Sequence, residues 1–239
     1  MILSEQSAAF RRRLYDNRHW LPLLLSPAAI LALLIARPFN IIPDSFFFTL
    51  LCAIISLTGV AIRAMTVGYL PRKTEDEVTS GVKSTELITQ GMYSIVRHPI
   101  ALGNLLAWYG IILYVGVSWF IIGAILLYTL FTYQILLCEE EELAKRFGDR
   151  YSLWASYTNA LIPNRKLWIR SRDKFSLMQV LRREYIGFFF LVLTFVTINL
   201  LRNRVIEFTW SLSPLWTVVG GATLLFTIFI RLISKLINK

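Results

Sequence analysis

Three residue types at two places in the chain could do chemistry together. The first place is Gly91-Met-Tyr-Ser-Ile-Val-Arg-His-Pro-Ile-Ala-Leu-Gly103, which carries Arg97 and His98 directly before Pro99. The second is the run Glu139-Glu140-Glu141-Glu142, some forty residues later. Between them Leu105 to Cys138 is almost uninterruptedly apolar, about twice the length that crosses a bilayer. Gly116-Val-Ser118 near its middle predicts a tight helical hairpin. A hairpin of near-equal arms returns the glutamates to the depth of the Arg-His-Pro turn. Arginine, histidine and carboxylate would then converge at a partly desolvated membrane boundary, where charge interactions strengthen.

Such a set suits a zwitterionic cofactor, with its carboxylate held by basic groups or backbone N–H and its ribose hydroxyls by a glutamate. The bland alternatives are equally concrete. Arg97 alone could anchor to phosphates and His98 could cap the turn. Glu141 and Glu142 could form a solvated first turn of a following helix, favoured by its dipole. Arg63 interrupts an apolar span about 10 Å from its end by helix rise. It either snorkels to the headgroups or binds an anionic substrate group. Asn104 and Gln134 are placed to hydrogen-bond across the hairpin. Tyr109, Tyr114 and the tryptophans read mostly as an interface belt. No metal cluster, nucleophile elbow or phosphate-binding glycine loop is visible, so the set fits positioning chemistry rather than covalent catalysis.

The elements that must position these residues follow from hydropathy. Of 239 residues, 56% are hydrophobic and the formal net charge is +10. A soluble domain sits near 45–50% apolar. The surplus lies in long uncharged runs, which predicts an all-α polytopic membrane bundle of about six transmembrane helices. The spans are Leu21 to Ala36, Phe46 to about Tyr69, the two hairpin arms, Tyr185 to Leu201 and Leu215 to Leu232. Four regions result: a basic arm at 1–20, two helices at 21–70, a core at 71–165, and an interfacial segment with two helices at 166–239. Leu143, Phe147, Tyr151 and Trp154 recur at helical spacing, predicting one amphipathic helix ended by Pro163. Residues 165–183 interleave cations with apolar residues and read as interfacial. The two cysteines, Cys52 and Cys138, make neither a disulfide framework nor a zinc spacing.

Of the 25 lysines and arginines, 21 fall on the side that holds both termini, the Arg-His-Pro turn and the glutamates, against Arg37, Arg202 and Arg204 in the opposite loops and Arg63 inside a span. That asymmetry predicts a cytoplasmic site facing anionic headgroups and excludes nucleic acid as the natural partner.

The segment Leu87 to Pro99, a hydrophobic stretch, and then Glu139-Glu140-x-x-Leu143-x-x-x-Phe147-Gly148-x-x-Tyr151 with a later Pro163 resembles a known family. It is similar to the isoprenylcysteine carboxyl methyltransferase and phospholipid methyltransferase family of membrane enzymes, over roughly residues 60–165. The resemblance implies an S-adenosylmethionine site formed by Thr85, Glu86, Leu87, Ile88, Tyr93, His98, Pro99, Ile100, Ala101 and Glu139. It implies a membrane lipid or lipidated group as substrate, with Arg63 and Arg97 as candidates for an anionic headgroup. Glu140 is then the nearest base should the acceptor be an amine. Two positions depart from the family. Ala101 replaces a tyrosine, and Ile135 stands where prenylcysteine enzymes carry a substrate-binding arginine. The second departure disfavours prenylcysteine methylation more than methyl transfer as such. A nicotinamide-dependent sterol-type reductase and a non-enzymatic membrane interaction protein are the competing classes.

Overall fold

The computed structural model describes residues 10–17, 20–36, 41–42, 45–71 and 86–237. Thr85, Arg18 and Arg37 lie outside these residues. Helices named in chain order are α1 (Trp20–Ile35), α2 (Phe46–Gly68), α3 (Met92–Ile95), α4 (Pro99–Val115), α5 (Ser118–Phe147), α6 (Asp149–Tyr157), α7 (Leu177–Ile206) and α8 (Pro214–Ile237). Among the described residues there is no strand, only an isolated bridge between Ile41 and Val117. The protein is a membrane helical bundle. α2, α5, α7 and α8 are long and apolar enough to span a bilayer, and α1 and α4 contribute shorter apolar helices. Backbone groups inside hydrocarbon must bond within their own segment, which is why every apolar run here is a helix. Side chains such as Phe47, Ile122 and Leu225 are exposed on the outer faces, where lipid tails would meet them.

The hairpin forms where expected. Gly116 takes a left-handed conformation with φ +79° at the end of α4, and Val117 precedes α5. Its carbonyl accepts from the Ile42 N–H at 2.9 Å. α4 packs against α2 along a seam of small residues. A Cβ at Gly59 would strike the Gly103 carbonyl, and one at Gly110 would strike Ser56. Ser56 Oγ donates to the Ala107 carbonyl at 2.7 Å across this seam. Close backbone approach through small residues is the usual substitute for hydrophobic drive between membrane helices. It fixes the start of α4, and hence His98, relative to α2.

The last two helices are tied to the far end of the hairpin. Arg202 is fully buried and donates to the Tyr114, Val115 and Ile42 carbonyls, neutralising the C-terminal end of α4. Asn199 and Trp216 both donate to the Tyr114 hydroxyl, at 3.0 and 2.8 Å. Tyr114 and Trp216 are therefore core residues, not an interface belt. Arg202 is likewise a buried helix-capping group rather than a loop cation. Tyr109 contacts the Thr129 hydroxyl at 2.6 Å between the hairpin arms.

Two further expectations change. The amphipathic pattern from Leu143 to Trp154 is not one helix: Gly148, at φ +52°, ends α5 and starts α6. The four glutamates thus lie in the body of a 30-residue helix instead of in a first turn. The basic segment after Pro163, read as interfacial, is also bonded to the rest of the fold. Residues 158–176 are an irregular strap with one 3-10 turn, Arg165–Leu167, and they run across the Gly91–His98 segment.

Candidate active site

The stretch before α4 owes its shape to a glycine and to borrowed hydrogen bonds. Gly91 at φ +62° begins the one-turn helix α3, and Val96 returns to extended backbone. Extended backbone away from water needs partners, and the strap supplies them. Gly91 N–H donates to the Ile169 carbonyl at 2.9 Å, Arg97 N–H to Asn159 at 2.8 Å and His98 N–H to Ala160 at 3.1 Å. In return Asn164 N–H donates to the Ile95 carbonyl at 2.9 Å, and Ile169 N–H to Ser94 Oγ at 3.0 Å. Pro99 then opens α4, leaving the Ile100 and Ala101 N–H groups at the helix start without intrahelical partners.

His98 occupies the N-cap position of α4, but its side chain makes no capping bond. It is 7% exposed and sits between two carboxylates, with Nδ1 3.5 Å from Glu139 Oε2 and Nε2 3.2 Å from Glu140 Oε1. Both ring nitrogens can serve these contacts only if both carry a proton. Burial lowers its pKa, but the hydrogen bonds and charges of Glu139 and Glu140 outweigh that and raise it above the ordinary 6.5. Arg97 Nη2 lies 2.9 Å from Glu140 Oε1, and its Nη1 donates to the Ala155 carbonyl at 3.1 Å. Arg97, His98, Glu139 and Glu140 therefore converge across the hairpin, as the sequence predicts. Burial, and then the Glu139 charge, push the Tyr93 hydroxyl pKa far up, so it stays protonated.

Not every candidate joins. Arg63 makes a bidentate ion pair with Glu184 of α7, Nε to Oε2 and Nη2 to Oε1 both at 2.9 Å, and Nη1 donates to Asn104 Oδ1 at 2.5 Å. It is neither snorkelling nor a free cation, and Asn104 serves Arg63 instead of Gln134. Glu140 accepts from two cations, which leaves it an anchored carboxylate and a poor base as it stands. Glu141 pairs with Arg11 at 2.5 Å, tying the N-terminal arm to α5, so it is not simply solvated. Glu86 is exposed, and Leu87 and Ile88 are half-buried in irregular backbone leading to α3. Ile100 and Ala101 are half-buried on the first turn of α4.

Sequence reasoning missed Glu184 and the strap carbonyls. Glu184 had a faint signal: it is an acid directly after Arg182 and Arg183, at the start of an apolar span. The strap carbonyls had none, because any residue type offers one.

The charged and polar groups of this cluster have the chemistry that a zwitterionic ligand needs. Glu139 is 36% exposed, so part of its carboxylate stays open beyond its contact with His98. Arg97 Nε, Tyr151 Oη, Trp154 Nε1 and Thr158 Oγ1 are buried with no hydrogen-bond partner among the described residues. Tyr151, Trp154 and Thr158 fall on one face of α6 and its cap, behind Arg97. Burial and then the Glu140 charge push the Tyr151 hydroxyl up to about 12. By contrast, an apolar cleft of about 190 Å³ toward the other end of the bundle, lined by Leu33, Trp108, Ile112, Phe120 and Ile198, holds no titratable side chain.

Residues 47–150 match the phospholipid methyltransferase family, which bears out the resemblance from α2 to the first turn of α6. The match ends before the strap and leaves out α1, α7 and α8. No curated protein and no solved structure matches the chain.

Proposed function

We propose that this chain is an S-adenosylmethionine-dependent methyltransferase of the membrane, acting on a lipid headgroup or lipid-anchored group. The observation that carries the reading is the convergence of Arg97 and His98 with Glu139 and Glu140 inside the stretch that matches phospholipid methyltransferases. When bound, the cofactor supplies an electrophilic methyl group on a cationic sulfur. Thr85 to Ile88, Tyr93, His98 to Ala101 and Glu139 would surround it. The open part of the Glu139 carboxylate suits a ribose diol, and the free N–H groups of Ile100 and Ala101 suit a carboxylate at a helix N-terminus. His98 holds both glutamates in place from a buried position.

The protein's contribution is alignment and exclusion of water, which requires no covalent intermediate. Arg97, at the mouth of the hairpin, is the cation we assign to an anionic headgroup, which would have to compete with Glu140 for it. Arg63, committed to Glu184, is better assigned to positioning α2 against α7. An oxygen-anion acceptor needs no base. An amine acceptor must lose a proton, and Glu140 is the nearest carboxylate once one of its cations moves. The lysine and arginine asymmetry supports a cytoplasmic site.

The test is transfer of labelled methyl from S-adenosylmethionine into lipid by the purified chain in bilayers, beside Glu139→Gln. Label in an organic-soluble product, lost in the variant, supports the reading, and the labelled headgroup identifies the acceptor. Base-labile label in protein would point instead to a prenylcysteine carboxylate, despite Ile135. Absence of both label and cofactor binding in every bilayer tested would overturn the proposal.

A further inference from the structure

The strap has two faces with different work. Its inner face is hydrogen-bonded to the cofactor segment at Gly91, Ser94, Ile95, Arg97 and His98, and Arg172 N–H donates to Gln90 Oε1 at 3.2 Å. Its outer face carries the exposed cations Arg165, Lys166, Arg170, Arg172 and Lys174 against a single exposed acid, Asp173. Among them Trp168, Ile169 and Phe175 are 44–52% exposed, and Leu177 and Met178 follow at 61% and 47%.

The depth of this face is set by two membrane helices. Ser176 N–H donates to the Gly68 carbonyl at 2.9 Å, joining the end of α2 to the start of α7. Phe175 lies over Gly68 so closely that a Cβ there would collide with its ring. Gln179 Nε2 donates to the Leu70 carbonyl at 3.3 Å. The strap therefore hangs at the level where hydrocarbon gives way to headgroups. Exposed cations interleaved with aromatic and aliphatic side chains at that level complement an anionic lipid surface.

We infer that the strap docks on anionic phospholipid headgroups and that this docking orders the Gly91–His98 segment, making cofactor affinity depend on the charge of the leaflet. The coupling needs no remote pathway, because the same short strap carries the lipid-facing side chains and the carbonyls that hold Arg97 and His98. For the cofactor arm, the inference rests on the methyltransferase reading above.

The experiment uses the full chain in nanodiscs of phosphatidylcholine alone or with phosphatidylglycerol added, followed by amide hydrogen exchange and by S-adenosylmethionine binding. The amides of Gly91, Ile169 and Arg172 are expected to exchange more slowly in anionic discs, with the gain removed by high salt. Cofactor should bind about fivefold tighter there, the low end of ordinary coupling between sites. The triple variant R170Q/R172Q/K174Q keeps every backbone bond. It should match the wild type in neutral discs, establishing that it is folded, and gain nothing in anionic ones. Exchange that ignores lipid charge in the wild type, or an equal gain in the variant, would overturn the inference. So would protection by a soluble polyanion but not by anionic discs, which would indicate an acidic protein partner. Lipid-dependent exchange without cofactor binding in either disc would support docking and sink the cofactor reading alone.

Discussion

Removing Glu184 gives a direct measure of how the bundle tolerates Arg63. The pair is bidentate at 2.9 Å, and its side chains are only 26% and 11% exposed. Deleting one partner of a buried pair strands the other charge, at a cost of about 3–5 kcal/mol. Arg63 keeps its bond to Asn104 and retains some exposure, so Glu184→Leu should destabilise by the lesser amount of about 2–3 kcal/mol. A loss of about 2 kcal/mol is roughly a thirtyfold change in the folded-to-unfolded ratio. Replacing both, as R63M/E184L, should recover stability to within about 1 kcal/mol of wild type, because no charge is left uncompensated. The assay is reversible unfolding of the four proteins of this cycle in mixed micelles. If Glu184→Leu is as stable as wild type, or the double variant no better than the single, the pair is not buried in the sense argued. The same variants assign Arg63: methyl transfer that survives in R63M/E184L makes it structural, whereas loss of transfer with stability restored would return it to the substrate site.

Three further outcomes follow from the geometry. A histidine whose folded pKa is raised stabilises the folded state fully below its unfolded value near 6.5, and that contribution fades as pH rises through the folded value. Thermal stability should therefore fall as pH rises above about 6.5, and His98→Gln should flatten that slope in a melting series across pH. Gly59→Val drives a side chain into the Gly103 carbonyl. Overpacking of that kind should lower stability by about 1–3 kcal/mol or more, read as a lower melting temperature in detergent. Arg202→Met leaves the Tyr114, Val115 and Ile42 carbonyls without their donor. At about 1–3 kcal/mol per stranded buried acceptor it should abolish folded yield, and Arg202→Lys should restore only part, because a single ammonium cannot reproduce the fork.

Much of this architecture was legible because the bilayer makes hydropathy decisive. Runs of apolar residues had to be helices, Gly116 had to turn, and the turn had to bring His98 back to Glu139 and Glu140. The hairpin is local in sequence, and its two ends are forced together by chain length alone. What could not be read depends on which helices become neighbours. Glu184 meets Arg63 across 121 positions, and nothing in either apolar span names the other. Arg202 looked like a loop cation because its partners are backbone carbonyls, which every residue possesses. The interfacial segment gave no sign of its grip on Arg97 and His98 for the same reason, since that grip runs through main-chain atoms. Gly148 split an apparently continuous amphipathic pattern, because periodicity records which face is apolar and not whether the axis bends. Residue type and spacing thus determined the spans, the hairpin and the convergence of His98 with its glutamates. Tertiary structure alone decided which cations remain available, because pairing over long separations and hydrogen bonding to backbone leave no mark in side-chain identity.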